Sequence, residues 1–316
     1  MPKKYDLKNI LIVRNDRFGE FLLIIPALRA IKEAYPQVKI TAVVNPQLKE
    51  LAKCVEFIDE LILWPSIAHS PVQKLRLLKL LKKAHFDAAI MFNPSKEFNF
   101  VTFFSGIPVR VGYDRKAAAL LTHKVKDLKH LGLKHEIDYN LELVSLINAV
   151  TNDRSLALNL KGCLFKDNAD IVLHPWTSDP VKQWPIDNFV ELAKRISSEL
   201  ARNVIIVGGP EEIDRNNRYF TDLAQGIRNL TGKTSLIQLA CLLSQAKLLV
   251  SGDSGPVHLA GCVGLPILAL FRSDIPGKNP QRWGPVGENS LVIAKPDLGS
   301  ISVEEVIQNI KAILET

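Results

Sequence analysis

The chain has 316 residues, of which 47% are hydrophobic and 23% are charged, so it can bury sizeable cores and is neither disordered nor of low complexity. Its length suits two domains of about 150 residues each. The formal net charge is +7, and it is concentrated in residues 1–150, which hold 23 Lys and Arg against 15 Asp and Glu. The basic half favours an anionic partner: a phosphorylated substrate, an acidic membrane surface or nucleic acid. A merely lysine-rich surface explains the charge equally well.

The first half of the chain alternates short apolar runs with helix-length segments. Strands are predicted at residues 9–13, 39–44, 57–63, 88–92 and 109–111, and helices at 20–34 and 135–150. This alternation predicts a parallel sheet covered by helices on both faces. Residues 74–83 form a basic helix with its leucines towards one side. Such a helix more often packs its leucines on its own sheet, and the alternative is that it lies on an anionic membrane.

The second half restarts the same pattern after a polar, weakly periodic segment, residues 151–168, which predicts a linker. The predicted domains are therefore 1–150 and 151–316. Strands are predicted at residues 170–173, 204–207, 248–251 and 266–270, and helices at 187–200, from about 211, and at 303–314, with Asp187 as the N-cap of the first. The fold class is α/β, with two consecutive units and a cleft between them. The candidate site loops follow the carboxyl ends of strands, where open α/β sheets bind ligands.

The cysteines and the apolar segments predict a soluble, reduced, cytoplasmic protein. Cys54, Cys163, Cys241 and Cys262 form no C-x-x-C pair, so neither a disulfide framework nor a zinc site is expected. The first residues lack the apolar segment of a signal peptide. The longest apolar stretch, residues 259–271, is interrupted by Gly and Pro and falls short of a bilayer span.

Residues 251–258, with the sequence SGDSGPVH, carry the most chemical information. They follow a strand and lead into a helix, which Ser254 or Gly255 can cap. Backbone N–H groups at such a helix start favour a phosphate. Asp253 cannot attract phosphate and more naturally orients the loop or accepts sugar hydroxyls. His258, on the first turn, could donate to a phosphate oxygen, whereas a histidine taken alone is more often a satisfied, partly buried helix residue.

Two further loops offer ligand-binding groups. In residues 174–185, Thr177 and Ser178 supply hydroxyls and Lys182 a positive charge, which suits a diphosphate that gains negative charge as it leaves. The alternative is an exposed polar loop with a solvated lysine. In residues 208–212, with the sequence GGPEE, the glycines let a ligand approach the backbone and a carboxylate could hold ribose hydroxyls.

The first loop of the chain carries two carboxylates at a strand-to-helix junction. Asp16 or Glu20 could act as a general base, although carboxylates also collect at helix N-termini for electrostatic reasons alone. No D-x-D triplet suggests a metal–diphosphate site, and no P-loop or G-x-G-x-x-G run is present. Nucleic-acid binding is disfavoured because no recognised module occurs and only 7% of the residues are aromatic.

Together these segments resemble the ADP-heptose:lipopolysaccharide heptosyltransferases, family nine of the glycosyltransferases. The resemblance runs from residue 10 to residue 271 and is most specific at 253–266, which is close to the family's D-[ST]-G-x-x-H-L-A signature. Residues 107–112, 182–185 and 208–212 match in order and spacing. The resemblance implies the GT-B fold, with two Rossmann-like domains facing across a cleft.

The resemblance also implies a role for each candidate residue. The donor-binding residues are Thr177, Ser178 and Lys182 at the diphosphate, Glu212 at the ribose, and Asp253, Ser254, Gly255 and His258 around the sugar diphosphate. Glu20 occupies the position of the family's aspartate base and is longer by roughly a methylene, with Asp16 as the alternative base and Lys182 assisting catalysis. Two departures from the family pattern are Trp176, where a small residue is usual, and the segment from Arg272, which replaces F-G-P-T-D-P.

The implied activity is that of an inverting, metal-independent glycosyltransferase with no cofactor, since ADP-heptose is a substrate. The implied acceptor is an anionic glycolipid or phosphorylated oligosaccharide of the lipopolysaccharide core. The protein would then be cytoplasmic, with a peripheral contact on the cytoplasmic face of the inner membrane. The alternatives are a GT-B enzyme that uses another nucleotide sugar, for transfer or epimerisation, and a donor-binding homologue that has lost transferase activity.

Overall fold

The computed structural model describes residues 5–163, 165, 167, 169–221, 223–287 and 289–315. The chain divides into two compact units. The N-terminal unit comprises the residues up to His130 together with Lys134–Ser155, and the C-terminal unit comprises Leu131–Leu133 together with the residues from Leu156 onward. Each unit contains its own parallel sheet.

In the N-terminal unit the elements alternate between strand and helix for most of its length. The strands are β1 (Asn9–Val13), β2 (Lys39–Val44), β3 (Glu60–Leu63), β4 (Ala88–Met91), β5 (Val109–Tyr113) and β6 (His123–Val125). The helices are α1 (Phe18–Leu22), α2 (Ile25–Ala34), α3 (Lys49–Lys53), α4 (Pro71–Ala84), α5 (Lys96–Phe104) and α6 (Glu136–Ser145), with 3-10 turns at Pro46–Leu48, Ala118–Leu120 and Lys129–Leu131. The strands pair in parallel in the order β3-β2-β1-β4-β5-β6.

The C-terminal unit repeats the arrangement. Its strands are β7 (Ile171–His174), β8 (Val204–Ile206), β9 (Ile227–Asn229), β10 (Leu248–Gly252), β11 (Ile267–Arg272) and β12 (Ser290–Lys295). Its helices are α7 (Ile186–Glu199), α8 (Ile213–Tyr219), α9 (Leu236–Gln245), α10 (Gly255–Cys262), α11 (Pro280–Trp283) and α12 (Val303–Glu315), with 3-10 turns at Pro180–Lys182, Pro210–Glu212 and Leu298–Ser300. The parallel strand order is β12-β11-β10-β7-β8-β9.

Both sheets have the Rossmann strand order, in which the first strand lies in the middle and the chain builds outward first on one side and then on the other. The central strands are buried along nearly their whole length, as in β1, β4, β7 and β10. Continuous apolar runs of this kind are typical of parallel strands covered on both faces. The prediction of an α/β fold with two Rossmann-like domains is confirmed.

Several element boundaries differ from the sequence predictions for local reasons. The helix expected over 20–34 is two helices, because α1 ends at Leu22 and α2 begins at Ile25 with Pro26 in its first turn. Proline lacks an N–H to continue a preceding helix but suits a helix start. Helix α7 begins at Ile186 with Pro185 as its N-cap. The prediction of Asp187 as the N-cap is therefore wrong, although its carboxylate lies in the first turn.

The cysteine expectation is wrong for one pair. Cys163 and Cys241 form a disulfide whose Cα atoms are 6.1 Å apart, although 78 positions separate the two residues in the sequence. Cys241 lies on α9, and the fold brings the segment that carries Cys163 against this helix. Sequence spacing cannot reveal a pairing that depends on tertiary packing. Cys54 and Cys262 are free thiols.

The predicted basic helix is α4, and two of its leucines pack on its own sheet, as the first of the two sequence alternatives predicts. Leu77 and Leu81 are buried in the core of the N-terminal unit. Leu75 and Leu80, by contrast, are about half exposed, together with the lysines. In the described part of the chain, no helix combines the length and the apolar character needed to span a membrane.

Candidate functional site

The carboxyl ends of β7 and β10 lie side by side at the switch point of the C-terminal sheet, where the chain stops adding strands on one side and starts adding them on the other. These strands are neighbours in space although helices and two other strands separate them in the chain. Connections leave such a switch point towards opposite sides, which opens a crevice beyond the strand ends. The pairing register sets Ser251 beside His174 at this point. Two of the three loops that carry predicted donor-binding residues, those after β7 and β10, start here.

A buried histidine and two serines form a hydrogen-bonded cluster at the switch point. Nδ1 of His174 lies 3.2 Å from Oγ of Ser251 and 3.1 Å from Oγ of Ser254, and the two hydroxyl oxygens are 2.8 Å apart. Burial lowers the pKa of His174 to about 4, because the charged imidazolium would lose its hydration. His174 is therefore neutral near pH 7 and anchors the loop through its hydrogen bonds.

Ser254, one of the two residues predicted to cap the helix, is the N-cap of α10, but its side chain does not bond to the helix backbone. Its hydroxyl instead takes part in the cluster with His174 and Ser251. Gly255 begins the helix and Pro256 occupies its first turn. The positive end of the helix dipole thus lies at the carboxyl edge of the sheet without a capping side chain, which is an arrangement suited to an anion.

Lys182 and Asp253, which belong to two different loops, form an ion pair at this edge. Nζ of Lys182 lies 2.5 Å from Oδ2 of Asp253, and the side chains are only 17% and 8% exposed. The pairing explains how a carboxylate can stand in a loop suited to phosphate: its charge is neutralised by a lysine. The lysine is in turn held near the N-terminus of α10, a position from which it could contact a diphosphate.

The loop between β7 and α7 is shaped by a second ion pair. Asp179 accepts hydrogen bonds from the Val181 backbone and from Nζ of Lys278, the latter at 2.6 Å. The bond to Lys278, assisted by the Val181 backbone, lowers the pKa of Asp179 despite some desolvation. Oγ1 of Thr177 accepts from the Asp179 backbone N–H, and Ser178 is exposed. The predicted hydroxyl donors therefore lie on a loop whose shape is held by Asp179.

The Gly-Gly-Pro loop lies beyond β8, on the same edge of the sheet. It forms the 3-10 turn that ends in Glu212, whose backbone N–H donates to the carbonyl of Gly209. Partial burial raises the pKa of Glu212, and the neighbouring charge of Glu211 adds to the effect. The half-buried carboxylate of Glu212 lies beyond the end of β8, the strand next to β7.

The structure also shows the surroundings of His258 and of the two departures from the family pattern, Trp176 and Arg272. His258 is buried on α10, with its ring centroid 6.4 Å from that of Trp283. Trp176 is 1% exposed and fills the core beside Gly208, where a Cβ would lie 2.6 Å from the indole, so it presents almost no surface to a donor. Arg272, at the end of β11, pairs with Asp274 through two hydrogen bonds.

A buried charge network lies at the switch point of the N-terminal sheet, between β1 and β4. Arg14 is 3% exposed and donates to the carbonyl of Phe92, which follows β4. Its Nε lies 2.9 Å from Asp16 and its Nη1 lies 3.7 Å from Glu136. Burial opposes the charge on Arg14, but the two carboxylates outweigh it and raise the pKa of the guanidinium. Glu136 also pairs with Lys129, at 2.5 Å.

This network distinguishes the two candidate bases. Asp16 is held by the guanidinium of Arg14. Glu20, on α1, makes a longer contact of 3.7 Å with the exposed Arg17. Burial and then the charge of Asp16 raise the pKa of Glu20. A carboxylate with a raised pKa accepts a proton more readily, which suits the side chain of Glu20 to act as a general base.

The structure thus collects the sequence-predicted residues into one group in each unit. In the C-terminal unit the segments that follow β7, β8 and β10 carry Thr177, Ser178, Lys182, Glu212, Asp253 and Ser254, and the first turn of α10 carries Gly255 and His258. In the N-terminal unit Asp16 and Glu20 follow β1. Sequence reasoning missed the residues that position them: His174, Ser251, Lys278, Arg14 and Glu136. For His174 and Ser251, the available signal was a polar side chain at the end of an apolar strand.

Comparison with known proteins gives a consistent family result. The family model described as glycosyltransferase family 9 (heptosyltransferase) matches residues 74–309. Lipopolysaccharide heptosyltransferase 2 of Escherichia coli is 23% identical, over 86% of this chain and 84% of its own.

Solved structures resemble the chain over nearly its full length. A glycosyltransferase family 9 protein from Veillonella parvula has a TM-score of 0.85 at 21% identity, covering 100% of this chain and 99% of its own. E. coli heptosyltransferase WaaC, solved with ADP, has a TM-score of 0.80 at 21% identity, covering 96% and 99%. These likenesses show the fold, and with it the predicted GT-B class is confirmed.

Proposed function

The chain belongs to glycosyltransferase family 9, and from that premise we propose that it is an inverting heptosyltransferase. It transfers heptose from ADP-heptose to a lipopolysaccharide core or a related phosphorylated glycan. The observation that carries this proposal is the Lys182–Asp253 pair beside the N-terminus of α10, at the switch point of the C-terminal sheet. A nucleoside diphosphate is the ligand that this arrangement suits.

The donor is supported by the chemistry of the loops and by the relatives. Lys182 and the start of α10 offer positive charge to the diphosphate, and Asp253 offers a carboxylate to sugar hydroxyls. Glu212 binds ribose, and Thr177 and Ser178 supply further donors. WaaC, which shares the fold, binds ADP in its solved structure, and a relative in sequence is named a lipopolysaccharide heptosyltransferase.

The proposed transfer is a single displacement. Glu20 removes the proton from an acceptor hydroxyl as that oxygen attacks the anomeric carbon of the sugar. The bond from that carbon to the ADP oxygen breaks with its electron pair, and the configuration at the carbon inverts. Lys182 and α10 stabilise the negative charge that develops on ADP. Protein groups thereby supply the charge stabilisation, so we propose that the reaction needs neither a metal nor a cofactor.

The distribution of charge along the chain supports the proposed acceptor. The N-terminal half carries nearly all the excess positive charge of the chain, and a phosphate-rich glycan is attracted to such a surface. We propose that this unit receives a glycolipid or oligosaccharide acceptor, which would place the enzyme at the cytoplasmic face of the inner membrane.

Product analysis tests the proposal. The purified protein is incubated with a lipopolysaccharide core acceptor and with ADP-heptose, a UDP-sugar or a GDP-sugar, and products are identified by mass spectrometry. We expect heptose transfer and ADP release from ADP-heptose alone, with an inverted linkage by NMR. Lys182→Ala should lower turnover, whereas the control Lys311→Ala, on α12 of the same unit, should not.

Other outcomes would redirect the assignment. Transfer from another nucleotide sugar would keep the enzyme class and overturn the donor. Binding of ADP with no turnover on any acceptor would identify a donor-binding homologue. Unchanged turnover in Lys182→Ala would overturn the role of that lysine.

A further inference from the structure

The outer surface of α4 and α5 combines exposed apolar side chains with exposed lysines. On α4, Val72, Leu75 and Leu80 are 58%, 51% and 48% exposed. On α5, Phe100 and Phe104 are 46% and 60% exposed. We call this surface, together with the lysines described below, the α4–α5 face. So many large apolar side chains together on one surface mark a site of interaction rather than scattered exposure.

The two helices form one continuous surface because they share a core. Leu77 and Leu81 of α4 pack into the same hydrophobic cluster as Phe98 and Val101 of α5, on one side of the N-terminal sheet. The residues on the opposite side of each helix must then point outward together. The rings of Phe100 and Phe104 stack along α5 with centroids 6.2 Å apart.

The charge on this surface is positive. Helix α4 contains five Lys and Arg and no Asp or Glu. Three of its lysines, Lys79, Lys82 and Lys83, are exposed, and within the described ranges no ion pair engages them. Lysines of this kind can extend towards anionic groups while their stems cover apolar surface.

We propose that the α4–α5 face docks on a lipid bilayer that contains anionic phospholipids. Phenylalanines and leucines that enter the headgroup boundary, interspersed with lysines that meet lipid phosphates, are the features of an interfacial helix surface. A second copy of this chain is disfavoured, because a symmetric contact would bring like-charged α4 helices together. The inference rests on the proposed lipid-linked acceptor for its purpose, but its test does not depend on catalysis.

Vesicle binding tests the inference. The full chain is sedimented with vesicles of phosphatidylcholine alone or with phosphatidylglycerol, without donor or acceptor. We expect binding only to the anionic vesicles, weakened by high salt. The triple variant Lys79→Glu/Lys82→Glu/Lys83→Glu and, separately, Phe100→Ser/Phe104→Ser should each lower the partition coefficient by about tenfold or more, since each removes one of the two contributions.

Matched controls separate this surface from charge and hydrophobicity in general. Lys161→Glu/Lys194→Glu/Lys311→Glu makes the same change of net charge at exposed sites of the C-terminal unit, and Leu133→Ser/Val150→Ser removes exposed apolar groups elsewhere. Both should bind vesicles as the unaltered protein does. An unchanged unfolding temperature and unchanged ADP binding confirm that each variant is folded.

Three results would overturn the inference. These are equal binding by the α4–α5 variants and the controls, no binding of the unaltered protein to anionic vesicles, and self-association that the phenylalanine variant abolishes without lipid. The last would identify a second copy as the occupant. Since ADP binding and heptose transfer to a soluble acceptor are measured separately, failure here leaves the proposed function standing, and the reverse also holds.

Discussion

Replacing Lys182 with methionine tests how the donor site is built. Methionine keeps most of the length of the side chain and removes the charge. In the unaltered protein, Nζ of Lys182 is 2.5 Å from a carboxylate oxygen of Asp253, and neither side chain is more than 17% exposed. The substitution leaves the Asp253 carboxylate in a largely buried place without this ion pair.

The expected loss in the free energy of unfolding follows from that burial. Removing one partner of a fully buried ion pair costs about 3–5 kcal/mol. The residual exposure of Lys182 shows that water reaches the pair, so we reduce the estimate to about 2 kcal/mol. For a unit of this size, that corresponds to a fall in the unfolding midpoint of about 4–8 °C. ADP binding should weaken by about 10–100-fold, as expected for the loss of a charged hydrogen bond worth about 1.5–3 kcal/mol.

The assay is thermal unfolding and ADP titration of Lys182→Met, Asp253→Asn and the double variant. The double variant should be more stable than the sum of the single effects predicts, because neither isolated charge remains. Asp253→Asn alone should bind ADP more tightly than the unaltered protein, since it removes a negative charge beside the diphosphate, yet transfer heptose more slowly. Additive stabilities, or ADP affinity unchanged in Lys182→Met, would refute the reasoning.

Three further predictions concern other groups. Glu20→Gln should lower transfer by about 100-fold or more without lowering the unfolding midpoint. Burial and Asp16 raise the pKa of Glu20, so its ionised form costs stability at neutral pH. The transfer rate of the unaltered protein should fall with decreasing pH through a pKa above the ordinary carboxyl value, and a profile set by an ordinary pKa would contradict this role. Because the pKa of His174 is about 4 when folded and about 6.5 when unfolded, unfolding takes up a proton between these values. Urea titrations should show stability falling by about 3 kcal/mol as pH drops from about 6.5 to 4, and His174→Gln should remove most of that slope; an unchanged slope would count against the assignment. Arg14→Met should destabilise the N-terminal unit by about 3 kcal/mol, and Glu136→Gln in that background should restore part of it, whereas no restoration would show that the two charges are not coupled.

The sequence predicts the fold well where the signal is a buried parallel strand. The runs at β1, β2 and β10 are apolar along nearly their whole length. Short continuous apolar runs of this kind are typical of parallel strands that are covered on both faces. Strands β6, β9 and β12 were missed. Strands β6 and β9 have only three residues each, some of them polar, and so carry no periodicity.

The site was predicted as a set of residues but not as a set of contacts. Lys182 and Asp253 could be singled out by their loops, yet their pairing depends on β7 and β10 being neighbours in the sheet. Glu136 offered no signal at all, since an acidic residue at a helix start is commonplace. Only the fold shows that it is buried against Arg14 and Lys129.

The central claim is that the C-terminal unit binds an adenosine diphosphate sugar, and ligand-dependent unfolding tests it most directly. The purified protein is unfolded thermally with ADP, UDP, GDP or NAD added separately. A ligand that binds only the folded state raises the midpoint in proportion to the logarithm of its concentration. The account predicts a rise with ADP alone, which Lys182→Met diminishes. A rise with UDP or GDP instead, or no rise with any of the four, would contradict it.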